Sequence, residues 1–186
     1  WLRLPPRTGW RAWVEDESLL LVYDGANWVG GVVPDTSNAD SAIISGGTSI
    51  YDAEVLGDLW VMPGNKLVLD GGSFEQNSTH YIRFIAGGIL EVSNGGTFAP
   101  AANKIIMASG GTNTVDGAGS SITALGNDRV AIEGGSVLSL TGGATADFTG
   151  LWTTLWNNGQ LNISDNSVGN VKNIFIEGAS GAESRV

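Results

Sequence analysis

Carboxylates and aromatic rings are the side chains in this sequence whose types and spacing could do chemistry. Glu133 and Glu177 hold equivalent positions in two similar stretches, "NDRVAIEGG" at 127–135 and "NVKNIFIEG" at 170–178. If these stretches are strands two layers apart in a stack, the two carboxylates stand about 10 Å apart. That lies at the upper edge of the roughly 5 to 9.5 Å that acid-assisted glycoside cleavage uses. The pair is the candidate for catalysis, set against the plainer expectation of a solvated face. Glu75 and Asp147 share another column three layers apart, too far for that role.

Tryptophan and tyrosine offer a different chemistry, because a flat apolar ring with a polar edge suits the face of a sugar. Trp13, Tyr23 and Trp28 form one candidate carbohydrate-binding platform, and Trp152 with Trp156 a second. The competing expectation for each ring is a core or subunit interface. Trp10 and Trp28 would then be the core of a small module, and Trp156 would join Phe84 and Ile132 in an inward column.

Other chemistries are excluded or disfavoured by composition. The chain has no Cys and a single His80, so disulfides, thiolate metal sites and His-rich zinc sites are ruled out. One His in a predicted strand is expected to be a surface or packed residue rather than part of a Ser–His–Asp triad. Asp70, Asp116 and Asp128 do not gather into a calcium ligand set, so neither metal nor cofactor is expected. Nineteen acids against nine scattered bases give a net charge of −10, which repels a phosphate backbone and argues against a nucleic-acid partner. No apolar run approaches the roughly 18 residues that span a bilayer, so membrane insertion is not expected. The chain shows no signal peptide and starts at Trp1, which is read as the inside of a longer product.

The elements that must position these residues are set by glycine. Eight Gly-Gly pairs begin at Gly30, Gly46, Gly71, Gly87, Gly95, Gly110, Gly134 and Gly142, with every gap within one of a multiple of eight. Cut at a constant period of about 24 residues, the chain aligns Gly47, Gly71, Gly95, Gly119 and Gly143 in one column and Gly87, Gly111, Gly135 and Gly159 in another. Ser49, Ser73, Thr97, Ser121 and Thr145 then fall together, followed by Ile50, Phe74, Phe98, Ile122 and Ala146. Apolar pairs at strand spacing recur as Ile82 with Phe84, Ile106 with Ala108, and Val130 with Ile132. Leu90 with Val92, and Leu138 with Leu140, form a further set. Three short strands per repeat, punctuated by Gly, describe one coil of a β-solenoid, whose inward residues stack on their equivalents above and below. A β-sandwich with repeating hairpins, or a β-prism in which three chains share each layer, would also fit the spacing.

Ahead of this repeat, "GWRAWV", "LLLVY" and "NWVGGVV" read as a three-stranded antiparallel meander, with Asp24-Gly25 as a hairpin signal. The fold expected is therefore all-β: a Trp-rich meander over 1–33, a polar linker over 34–42, and a solenoid with coils of about 24 residues over 43–186. The meander alone would be marginal and must pack on something, the solenoid end included.

"WLRLPPRTGWRAWVEDESLLLVYDGANWV" closely resembles the closing segment of an uncharacterised module of phage and gene-transfer-agent tail fibre and spike proteins of alphaproteobacteria. The aromatic before "PPR", the "GWRAWVEDE" strand, "LLVYDG" and Trp28 carry that resemblance. The coil length is similar to that of right-handed parallel β-helices such as phage tailspikes, pectate lyases and secreted adhesins. Together these resemblances imply a structural and receptor-binding part of a virion tail fibre or spike, at the virion surface. The implied partners are a homotrimer of like chains, other virion proteins and host surface polysaccharide. The module brings no catalytic residues with it. A glycan-degrading tailspike and a bacterial surface adhesin or filament are the alternatives.

Overall fold

The computed structural model describes residues 11–14, 19–22, 41–44, 48–51, 58–76, 79–126 and 128–177, with the strands before residue 58 described by their backbone pairing alone. Every regular element among them is a β-strand, and no helix of the described residues is long and apolar enough to cross a membrane. β1 (Arg11–Val14) and β2 (Leu19–Val22) pair antiparallel, Arg11 opposite Val22 and Val14 opposite Leu19. The third strand expected over "NWVGGVV" lies outside the described residues.

The rest of the chain winds as a parallel β-solenoid. Its first coil carries β3 (Ser41–Ile44), β4 (Thr48–Tyr51) and β5 (Leu59–Val61). The second carries β6 (Lys66–Asp70), β7 (Ser73–Gln76) and β8 (Ile82–Phe84), and the third β9 (Ile89–Ser93), β10 (Thr97–Pro100) and β11 (Lys104–Ala108). The fourth carries β12 (Thr112–Asp116), β13 (Ser121–Thr123) and β14 (Arg129–Glu133). In the last two coils the second and third strands run together, giving β15 (Val137–Thr141) with β16 (Thr145–Trp156), then β17 (Gln160–Ile163) with β18 (Val168–Glu177). A register shift between Phe148 and Trp152 keeps the corner in β16. β3 opens at Ser41, inside the stretch 34–42 read from sequence as linker.

Each strand pairs in parallel with its equivalent one coil on. Ser41 pairs with Lys66, Lys66 with Ile89 and Val137 with Gln160, so the step from coil to coil is longer at the first of these pairings than at the other two. Six strands stack on the first face, from β3 to β17, about 5 turns of the chain from first to last. The strands form three faces. β3, β6, β9, β12, β15 and β17 make one; β4, β7, β10 and β13, continued by the first halves of β16 and β18, make the β4 face. β5, β8, β11 and β14, continued by the second halves of β16 and β18, make the β5 face. Antiparallel hairpins, on which a β-sandwich is built, do not occur among the described strands of the column.

The core follows from the period-two alternation of strands, because every second side chain of each coil points at the column axis. Leu67, Leu90, Leu138 and Leu161 stack in one inward line, and Phe84, Met107, Ile132 and Leu155 in another. Phe74 stacks on Phe98 with centroids 5.4 Å apart, and Phe84 meets Phe98 edge-on at 6.2 Å. Removing such side chains from water stabilises the fold by about 1.5–3 kcal/mol each. Polar residues interrupt the apolar lines, Asn113 and Thr153 among them. Asn113 is matched to its place: its Oδ1 accepts from the Leu90 N–H at 2.9 Å and its Nδ2 donates to the Val137 carbonyl at 3.1 Å, tying its coil to the coils on both sides. The fully buried Thr153 hydroxyl has no hydrogen-bond partner among the described residues.

The Gly-Gly signature has two separate causes. Gly87 adopts φ 91°, a left-handed conformation that turns the corner. At the neighbouring Gly88 the reason is close approach, since a Cβ there would run into the Val61 carbonyl of the preceding coil. One glycine turns the chain and the next lets it lie flat on the layer beneath.

Three inward assignments from the constant-period alignment are corrected by the true registers. Trp156 does not join Phe84 and Ile132, because the step from β14 to β16 is one position shorter than the constant period and puts Leu155 opposite Ile132. Trp156 points outward instead. In β11 the inward pair is Ile105 with Met107, not Ile106 with Ala108. In the first coil Ser49, rather than Ile50, is opposite Phe74. The steps are unequal, 25 residues from Lys104 to Arg129 and 23 from Arg129 to Trp152, in coils of about 23 residues rather than the 24 expected. A fixed cut therefore drifts by one place between them and inverts parity.

Candidate functional site

Parity decides what the β5 face presents, because the outward residues of its strands line up in rows across the coils. The middle row reads Trp60, Arg83, Ile106, Ala131, Thr154 and Phe175, through successive register pairs. Beside it runs Lys104, Arg129, Trp152 and Asn173. On the other flank stand Glu133, Trp156 and Glu177. Trp60, Trp152, Trp156 and Phe175 are 50%, 51%, 46% and 41% exposed, whereas the purely inward rings Phe84, Phe98 and Phe148 are sealed.

The aromatic rings are organised by their neighbours. Trp152 and Phe175 stack with centroids 4.8 Å apart and planes within 8°, and both side chains remain about half-exposed. At the other end of the sheet the Arg83 guanidinium lies 5.1 Å from the Trp60 ring centre and 5.0 Å from that of Tyr81. Arg83 is also held by Asp58, 3.6 Å from Nε to Oδ2. Burial pushes the Asp58 carboxyl upward, but the Tyr81 N–H, His80 and Arg83 together outweigh it and leave the group below its usual value of 3.8. His80 belongs to this same cluster, its Nδ1 3.4 Å from Asp58 Oδ1, and among the described residues no serine hydroxyl bonds to it.

Between the two ends the sheet carries a shallow depression of about 180 Å³, bounded by Lys104 and Arg129 on one side, by Glu133 and Glu177 on the other, and by Trp156 and Phe175. Ala131 and Thr154 form its floor. The carboxylates expected from sequence to be equivalent are therefore brought to one groove. The register also puts Trp156 in the layer between them, so an indole rather than an open gap separates the pair. That arrangement suits a bounded stacking platform better than two carboxylates reaching one bond from opposite sides.

The β4 face is chemically different. Ser73, Thr97, Ser121 and Thr145 form one outward row, with Glu75, Ala99 and then Thr123 and Asp147 beside it. Glu75 and Asp147 are three coils apart, as the alignment expects. Asp147 is occupied locally, accepting from the Thr149 hydroxyl at 2.7 Å and its N–H at 3.0 Å, contacts that hold its carboxyl low despite a small opposing effect of burial. Asp70, Asp116 and Asp128 each have a separate partner, in Asn94, Thr141 and Arg129. Among the described residues no group of three or more His, Cys, Asp or Glu gathers to hold a metal ion.

Residues 1–29 match a family described as Protein of unknown function (DUF2793). The match covers the stretch that carries the resemblance to the tail fibre module and none of the solenoid. Comparison with curated proteins and with solved structures returned no match.

Of the carbohydrate-binding residues expected from sequence, Trp152 stands on the β5 face. Trp13 lies in β1 opposite Leu20, with its side chain outside what is described, and Tyr23 and Trp28 lie outside the described residues. Sequence reasoning missed Trp60, Tyr81, Arg83, Lys104, Arg129 and Phe175. A signal existed for two of them: "LWV" and "IFI" each flank an outward ring with aliphatics in register with inward positions of the neighbouring coil, though Ile176 in the last coil is itself exposed. Such unbroken apolar runs hide the alternation, because an outward aromatic reads like core until the register is known.

Proposed function

We propose that this chain is a structural and receptor-binding part of a virion tail fibre or spike, attaching the particle to a glycan on the host cell surface through its β5 face. The observation that carries this reading is the set of half-exposed rings, Trp60, Trp152, Trp156 and Phe175, on one sheet of the column. Exposed aromatics gathered on one face mark an interaction surface, and rings bordered by carboxylates and cations are what a sugar needs for stacking and hydrogen bonding. The resemblance of residues 1–29 to the tail fibre module supplies the setting: a virion surface, other virion proteins as partners, and a homotrimer of right-handed columns about one axis. A rigid column with net charge −10 suits a straight, soluble stalk. The Trp-rich segment ahead of residue 40 serves as the joint, β1 lying beside β3 at the first coil.

The test is attachment of the labelled full chain to alphaproteobacterial cells before and after their surface polysaccharide is stripped, with mass photometry for assembly state. A trimer whose attachment disappears with the polysaccharide is expected; a stable monomer indifferent to it contradicts the reading. Glu133 and Glu177 in one groove favour a second reading, a glycan-degrading tailspike. It requires that host polysaccharide shorten on incubation and that Glu133→Gln abolish the shortening.

A further inference from the structure

We propose that the ligand of the β5 face is an acidic polysaccharide, whose anionic groups are held by Lys104 and Arg129 while its sugar rings lie on Trp152 and Trp156. This rests on the glycan-attachment reading above and adds the charge and orientation of the ligand. The first support is where the positive charge sits. In a chain with nineteen acids and nine bases, three of the five Lys and Arg whose side chains are described, Arg83, Lys104 and Arg129, project from three successive strands of this one sheet. Lys104 and Arg129 are direct register partners on β11 and β14. Like charges placed opposite one another on neighbouring strands, about 4.8 Å apart along the column, oppose sheet stability. An anion between them reverses that cost.

Second, the two cations are not equally committed. Arg129 contacts Asp128 at 3.1 Å through half-exposed side chains, a pair that solvent weakens. Lys104 takes part in none of the ion pairs among the described residues. Its row continues from Arg129 directly to Trp152, so cation, cation and ring follow one another at the strand repeat.

Third, the far edge of the depression has the opposite sign. Glu133 and Glu177 lie four residues along their strands from Arg129 and Asn173, about 13 Å away. Carboxylates accept hydrogen bonds from sugar hydroxyls and repel anionic groups, so the groove has a direction. The acid group of a sugar residue points to Lys104 and Arg129, its hydroxyls point to Glu133 and Glu177, and its ring covers the indoles. An acidic peptide would leave the rings unused.

The test is binding of the full chain to surfaces coated with polygalacturonate, dextran sulfate, uncharged dextran or poly-glutamate, at low and raised salt. Polygalacturonate or dextran sulfate is expected to bind and dextran and poly-glutamate to bind weakly, with the better polyanion identifying the anion as carboxylate or sulfate. Lys104→Gln/Arg129→Gln is expected to weaken polyanion binding roughly tenfold or more, and raised salt to weaken it further. The charge-matched control Lys66→Gln/Lys172→Gln is expected to leave it unchanged, and urea midpoints check that both variants fold. Dextran bound as tightly as polygalacturonate, and unaffected by Lys104→Gln/Arg129→Gln, overturns the acidic assignment but leaves glycan attachment standing. Poly-glutamate bound as well as the polysaccharides overturns it in favour of charge alone. No binding to any polymer, together with a trimer that dissociates on Trp152→Ala, removes the ligand role of the sheet altogether and makes it a contact between copies.

Discussion

The β4 and β5 faces are built on the same coils and backed by the same core, yet they present different chemistry. Phe98 of the β4 face packs against both Phe74 of its own face and Phe84 of the β5 face, so the two cannot be stabilised separately. Outward, one carries a ladder of Ser and Thr and the other a mixture of indoles, cations and carboxylates. The inward positions of a solenoid must repeat, because each layer packs on the next. Its outward positions are under no such constraint. Function is therefore to be sought where the repeat fails, as it does on the β5 face.

The shared core gives the largest expected effect. Phe98→Ala removes a fully buried ring that both faces use, and is expected to cost about 3–5 kcal/mol in urea unfolding. Glycan binding should be lost only in proportion to the unfolded fraction. A small loss would mean that the two faces do not depend on one core.

Separation of the faces is tested on their outward rows. Trp152→Ala/Trp156→Ala is expected to weaken polysaccharide binding roughly tenfold or more while leaving the urea midpoint near that of the unaltered chain. Ser121→Ala/Thr123→Ala, on the β4 face, should change neither quantity. The core can also be improved without touching either surface. Thr153→Val replaces the unpartnered buried hydroxyl and should add about 1 kcal/mol, a rise of roughly 2–4 °C in Tm, with binding unaltered.

The smallest effect concerns the end of the β5 face held by Asp58. Its folded pKa lies below 3.8, so the carboxylate's contribution is fully present above that value and is lost as pH falls through the lower folded pKa. Asp58→Asn should flatten the acid limb of a stability–pH profile below about pH 4 by less than about 1 kcal/mol, because the group is partly exposed. Stability at pH 7 falls by the same small amount.

Much of the column was legible in the sequence and most of the site was not, for one physical reason. Paired glycines mark corners that need left-handed residues or a residue without Cβ, as at Gly87 and Gly88, and glycines recur at these corners from layer to layer. Inward Leu90 with Val92, Ile82 with Phe84, and Leu138 with Leu140 follow from the same repeat. The outward rows depend on register to a single residue, and coils of unequal length defeat a constant period. Trp156 shows the consequence: a shift of one moves it from the expected core to the edge of the depression, between Glu133 and Glu177. Lys104 and Arg129 give no sign in the sequence of standing side by side, since a whole coil of chain separates them.

The most direct measurement is retardation of the full chain in native gels cast with host surface polysaccharide, run beside Trp152→Ala/Trp156→Ala and Ser121→Ala/Thr123→Ala. Recognition of glycan by the β5 face predicts that the unaltered chain and the β4-face variant are held back equally while the β5-face variant migrates as in a plain gel. Equal retardation of all three, or loss of retardation only in the β4-face variant, would contradict it.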